Sequence, residues 1–119
     1  MKKYRAWRDG QEIAQNIRMA DTFIKRLKGL LFEESLEEEQ GLLITPCNQV
    51  HTLGMKFPID VVYLTKEGEV IHTQSAVAPN AVGPCIRSCS RVLELKEGTV
   101  RKKRIAMGQR IAFDPFGNI

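Results

Sequence analysis

Ile59-Asp60-Val61-Val62-Tyr63-Leu64-Thr65-Lys66-Glu67-Gly68-Glu69-Val70-Ile71-His72-Thr73 is the stretch that decides the fold class. Two runs rich in β-branched and aromatic residues flank a short polar link, and Gly68 supplies the positive φ that a tight turn demands. The segment is predicted as an antiparallel hairpin with strands over residues 59–64 and 69–73. Working outward, short apolar runs at residues 42–45 and 50–53 are bounded by Pro46, Gly54 and Pro58 and predict two strands before the hairpin. Residues 91–96 and 111–113 predict two more after it, with a turn at Glu97-Gly98-Thr99. Residues 76–90 contain Pro79, Gly83, Pro84, Cys85 and Cys89 without a sustained period, and they predict a long loop over the sheet.

Towards the N-terminus the pattern changes. Asp9-Gly10 predicts a turn, followed by an irregular first strand through Ile13 or Ile17 to Met19. Asp21 precedes Phe23, Ile24, Leu27 and Leu31, a spacing that predicts a short amphipathic helix capped by Asp21 and ended by Gly29, with Lys25, Arg26 and Lys28 facing water. The acidic run at residues 33–39 reads as a solvated loop or helical turn.

With 119 residues, 43% of them hydrophobic and 27% charged, there is room for one globular domain, 1–119, and no compositional case for disorder. Residues 1–10 and 114–119 are expected to be loose. Lys2 and Lys3 provide a positive start, but no apolar stretch follows as it would in a signal peptide, so the expected location is cytoplasmic. The longest apolar runs fall far short of the roughly 18 residues of a membrane span, which predicts a soluble chain. Cys47, Cys85 and Cys89 cannot all pair with one another, and a cytosolic setting keeps them reduced. The net charge of +4 names no partner.

The segment His51-Thr52-Leu53-Gly54-Met55-Lys56-Phe57-Pro58-Ile59-Asp60-Val61-Val62-Tyr63-Leu64 resembles the family catalogued as domain of unknown function 192. Arg26-Leu27-Lys28-Gly29-Leu30-Leu31, Gly41-Leu42-Leu43, Val92-Leu93-Glu94-Leu95 with Gly98, and Gly108 are similar to its other elements in the same order. The resemblance covers about residues 20–113. It implies a mainly β, compact, mostly antiparallel sandwich or barrel-like domain with one short helix near the N-terminus, and it brings no activity, substrate or cofactor.

Several residues invite a functional reading. Asp60 interrupts an apolar strand and by alternation shares a face with Val62 and Leu64, where an ionised carboxylate requires a cation or backbone amides. Either Asp60 fixes the strand entry, or it joins His51 and Thr52 in a site, since Gly54 and Pro58 let the chain fold back between them. An imidazole beside a carboxylate is the arrangement that orients a general base. Cys47, His51, Cys85 and Cys89 supply four soft ligands, the number a structural zinc takes, although residues four apart on a strand lie about 13 Å apart. Buried, inert thiols are the competing reading. Arg101-Lys102-Lys103-Arg104 is a basic cluster without aromatic interleaving, and neighbouring Glu94 and Glu97 favour a solvated turn over nucleic-acid binding.

The chain carries no phosphate-binding glycine loop, serine elbow or metalloprotease helix. The expected function is therefore a non-enzymatic binding or interaction module for an unidentified small molecule or protein, with no resident cofactor. Its site is expected around residues 51–60, with Thr52, Met55, Arg87, Arg91 and Glu94 as binding candidates and an apolar mouth near Leu53, Met55 and Phe57. The alternative is a small, possibly hydrolytic enzyme using His51 and Asp60, with Arg87 or Arg91 holding an anionic substrate.

Overall fold

The computed structural model describes residues 3–116. Along them run β1 (Lys3–Arg8), β2 (Gln11–Ala20), α1 (Phe23–Lys28), β3 (Gln40–Ile44), β4 (Ile59–Leu64), β5 (Val70–Val77), β6 (Arg91–Lys96), α2 (Thr99–Lys102) and β7 (Ala112–Phe116). The hairpin forms where its sequence predicts. Gly68 takes φ 92° and its N–H donates to the Thr65 carbonyl at 3.0 Å, while the Thr65 hydroxyl accepts from Glu69 N at 3.0 Å.

The strands form one sheet in the order β5-β4-β6-β3-β2-β1-β7. All neighbours are antiparallel except β2 and β3, which run parallel with Ile17 opposite Gly41 and Ala20 opposite Ile44. The sheet is mostly antiparallel as expected, with this one parallel pair making it mixed. A parallel pair cannot be closed by a tight turn, and residues 21–39, carrying α1, provide the long connection it needs. Where the two edge strands begin to meet, Val70 N donates to the Gln109 carbonyl (2.8 Å), Gly108 N to the Val70 carbonyl (2.8 Å) and Ile111 N to the Gly68 carbonyl (2.9 Å). These bonds curl the sheet towards a barrel.

Alternation sorts the central strands between two apolar clusters. Val62 and Leu64 of β4, Leu43 of β3 and Leu93 and Leu95 of β6 face the first, with Ile17, Val100 and Ile111. Ile59, Val61 and Tyr63, with Leu42, Ile44 and Val92, face the second, covered by Leu30, Leu36, Val50 and Met55 from the connections. Every residue of β4 is buried because both of its faces are covered.

Four further expectations change. Residues 3–8 are not loose: β1 lies between β2 and β7 and pairs with both. Residues 114–116 likewise belong to β7, while 1–2 and 117–119 lie outside the described residues. Residues 50–53 form no strand; a single bridge joins His51 to Val82, and the neighbouring amides are committed to the 78–83 loop. The turn at Gly98 opens a second helix, α2. The helix predicted near the N-terminus exists, but Thr22 rather than Asp21 caps it, its hydroxyl accepting from Lys25 N at 3.2 Å, and none of its residues is buried.

Candidate ligand-binding site

Asp60 is fully buried on the face of the first cluster, as its alternation predicts. Its carboxylate accepts from Ala76 N (2.9 Å) through Oδ1, and from Gly98 N (3.0 Å) and Val100 N (2.8 Å) through Oδ2. The pairing of β4 with β5 is irregular between Ile59 and Val61, and Ala76 nearby takes φ 52°. With three backbone amides as partners, Asp60 joins the end of β5 and the start of α2 to the central strand. The three bonds give Asp60 a structural role in this fold.

His51 lies on the other side of the sheet. It is exposed, with Nδ1 accepting from Leu53 N at 3.3 Å. The expected convergence of His51 and Asp60 therefore does not occur, because the intervening residues cross from one face to the other. Thr52 is fully buried and structural: its hydroxyl donates to the Ala78 carbonyl (2.6 Å) and accepts from Ala81 N (2.9 Å), tying the 51–55 turn to the long loop.

The four soft ligands weighed as an alternative zinc set do not come together either. Among the described residues no three His, Cys, Asp or Glu side chains are grouped to hold a metal ion. Cys85 is exposed, the Cys89 thiol donates to the Arg91 carbonyl (3.1 Å), and the Cys47 thiol donates to the Gln49 carbonyl (3.2 Å). Burial pushes the Cys47 and Cys89 thiols up from their ordinary value, so both stay protonated and inert near neutral pH.

Arg87 is exposed on the long loop. Arg91 points to the first-cluster face, its guanidinium 5.3 Å from the Phe113 ring centre, with a buried Nε that has no hydrogen-bond partner. In the basic turn, Lys102 pairs with Glu38 at 2.7 Å and Lys103 with Glu39 at 3.2 Å. Half of that cluster is already neutralised.

What the structure does assemble is a cavity of about 400 Å³ between the second-cluster face of the sheet, α1 and the 46–55 loop. Ile44 and Glu94 form its sheet side, Leu30, Val50 and Met55 its apolar walls, and Phe23, Leu27 and Leu53 its mouth. Arg26, Lys28, Cys47 and His51 also line it. Phe23 and Leu27 are 69% and 63% exposed, so the apolar residues of α1 face the opening instead of the core.

Glu94 is the outlier. It is 3% exposed, and among the described residues no hydrogen bond or ion pair reaches its carboxyl. Burial alone pushes its pKa up to about 8 from the usual 4.5. It shares the face of Val92 in β6 and stands opposite Leu42 and Val61 on the two flanking strands. A carboxyl there is protonated at neutral pH and able to donate a hydrogen bond, or to ionise when a cation arrives.

The family model for domain of unknown function 192, described as Uncharacterized ACR, matches residues 5–113. The chain belongs to this family. The domain of unknown function 192 assignment therefore takes in β1 and β2 as well as the region around the hairpin. A member in Pyrococcus furiosus, UPF0127 protein PF1050, is 27% identical over 110 residues, which is 88% of this chain and 92% of that protein. The fold is shared with a Novosphingobium aromaticivorans protein of unknown function at TM-score 0.80 and 18% identity, covering 92% of this chain and 83% of the other. It is also shared with a Sinorhizobium meliloti protein described as a candidate transcription regulator, at TM-score 0.80 and 18% identity, covering 94% and 92%.

Of the residues singled out from sequence, the domain of unknown function 192 fold brings His51, Met55, Glu94 and Cys47 to the cavity and leaves Asp60, Thr52, Arg87 and Arg91 outside it. The contribution of α1 was missed, because its apolar spacing reads as a core-facing helix. The signal for Glu94 was a charge inside the apolar run Val92-Leu93-Glu94-Leu95, the same signal that drew attention to Asp60.

Proposed function

We propose that this chain is a non-enzymatic binding module that holds a small, largely apolar molecule between α1 and the sheet, with Glu94 as its polar anchor. The observation that carries this reading is a buried carboxyl, without a hydrogen-bond or ion-pair partner among the described residues, on the sheet side of a cavity walled by Leu30, Val50 and Met55. Ligand pockets commonly occupy about 300 to 1,000 Å³ and combine apolar walls with a few polar groups that fix orientation. A ligand that hydrogen-bonds to this carboxyl gains about 0.5–3 kcal/mol net, the upper end when one partner is charged. Phe23 and Leu27 give the bound molecule a lid side: their apolar surface loses water only when something fills the mouth.

The test is titration with N-phenylnaphthylamine, an uncharged fluorophore that brightens in apolar surroundings. Saturable binding of one probe per chain is expected. Because Leu27 is largely exposed, Leu27→Asp should leave the urea midpoint unchanged within about 0.5 kcal/mol of stability, yet weaken the probe at least about tenfold by placing a charge at the mouth. Non-saturable binding, or equal affinity in the variant, refutes the assignment.

A further inference from the structure

We infer that the ligand class of this cavity is a hydrophobic monoamine, whose ammonium meets the Glu94 carboxylate while its hydrocarbon part lies against Leu30, Val50 and Met55. This rests on the cavity being a binding site, and it adds the chemistry of the ligand.

Three observations lead to it. Glu94 is buried in the cavity wall without a partner, so the site has an acid and lacks the base that would complete it. The cations lining the cavity, Arg26 and Lys28, both come from α1. Lys28 lies over the Phe32 ring at 5.9 Å, and Arg26 acts on Cys47, whereas Glu94 is shifted by burial and by no positive charge. Finally, the two titratable groups that feel Glu94 electrostatically offer no cation. Cys47 from the 46–55 loop and Tyr63 from β4 are held in their neutral forms by burial, with Tyr63 pushed up to about 12.

An incoming ammonium is thus the complement the site lacks. Charge-assisted hydrogen bonds between an ammonium and a carboxylate are about twice as strong as neutral ones, and more so in a water-poor cavity. The α1 cations at the mouth set the other limit. They oppose a second ammonium at the far end of the ligand, which selects monoamines over diamines.

Protons balance simply. Below the Glu94 pKa the acid gives up one proton to solvent as the already protonated amine binds, and no covalent bond is made or broken. Affinity for an amine should therefore rise with pH up to about 8, where Glu94 is ionised before binding. An alcohol of the same length should show no such trend.

The experiment displaces N-phenylnaphthylamine with hexylamine, 1-hexanol and 1,6-diaminohexane between pH 6 and 9, on the full chain and on Glu94→Gln. Backbone amide shifts of Leu30, Val50 and Met55 locate the ligands. At pH 8 hexylamine should bind on the order of tenfold tighter than hexanol and tighter than the diamine. Glu94→Gln should abolish both the amine preference and its pH dependence. Equal binding of amine and alcohol, a diamine that binds as well as the monoamine, or a preference that survives Glu94→Gln overturns the inference. Hexanol binding with no amine preference removes the ligand class and leaves the cavity reading standing; failure of every apolar ligand removes both.

Discussion

Replacing Glu94 by glutamine should stabilise the protein by an amount that grows with pH. In the folded chain burial holds the carboxyl at about 8, against the ordinary 4.5 it regains on unfolding. An acid raised in this way favours the folded state at low pH: its full contribution is present below 4.5 and is lost as pH rises to 8. Each unit of difference is worth about 1.4 kcal/mol, so the ionisation penalty reaches about 3 kcal/mol at pH 7 and levels off near 5 kcal/mol above pH 8. That is a large share of the roughly 5–15 kcal/mol by which small domains are stable.

Glutamine has nearly the same shape and no charge to desolvate, so the wild-type penalty is absent from the variant while all other titrations are common to both. Urea unfolding of both chains from pH 4 to 9 measures the difference. It should be near its minimum at pH 4, climb by about 1.4 kcal/mol per pH unit through the middle of the range, and flatten above pH 8. A difference independent of pH would mean that water or a cation already serves this carboxyl, and the case for an unfilled acid would fall with it.

Asp60→Asn keeps the shape but leaves one acceptor oxygen for amides that the carboxylate serves with two, and it should cost about 2–4 kcal/mol in urea without changing probe affinity per folded molecule. Thr52→Val loses the bonds to the Ala78 carbonyl and Ala81 N. It should cost about 1–3 kcal/mol, with Thr52→Ser retaining most of the stability. Gly68→Ala combines φ 92° with a Cβ driven into the Ile111 carbonyl oxygen; thermal unfolding should show a loss of at least about 1–3 kcal/mol, since the edge closure must open to admit it. His51→Ala, at an exposed side chain, should leave the urea midpoint within about 0.5 kcal/mol of the parent, and a larger loss would assign the imidazole a packing role it does not have in this structure.

The unpartnered acid and the open helix belong together. Apolar residues on α1 would normally be drawn onto the core, yet Phe23, Ile24 and Leu27 stay outside while the cavity beside them keeps Glu94 from contact with a cation. Shutting the helix onto the sheet would bury that carboxyl more completely without giving it a partner. The same polar group that marks the site therefore resists its collapse in the absence of a ligand.

Much of this was legible in the residues alone. Alternating β-branched runs with Gly68 between them fixed the hairpin, because local sterics and turn chemistry act within a few residues. Burial of Asp60 followed from period two, since a charge within an apolar strand has to face one layer or the other. What the chain could not reveal was which distant groups would meet that charge, or that β2 and β3 would run parallel across a long connection. Those outcomes depend on which strands become neighbours. Asp60 and Glu94 look alike in sequence, one acid in each apolar strand. Only packing decided that the first would be answered by Ala76, Gly98 and Val100 and the second would face a cavity, because a buried charge is satisfied or left waiting according to what the rest of the chain brings beside it.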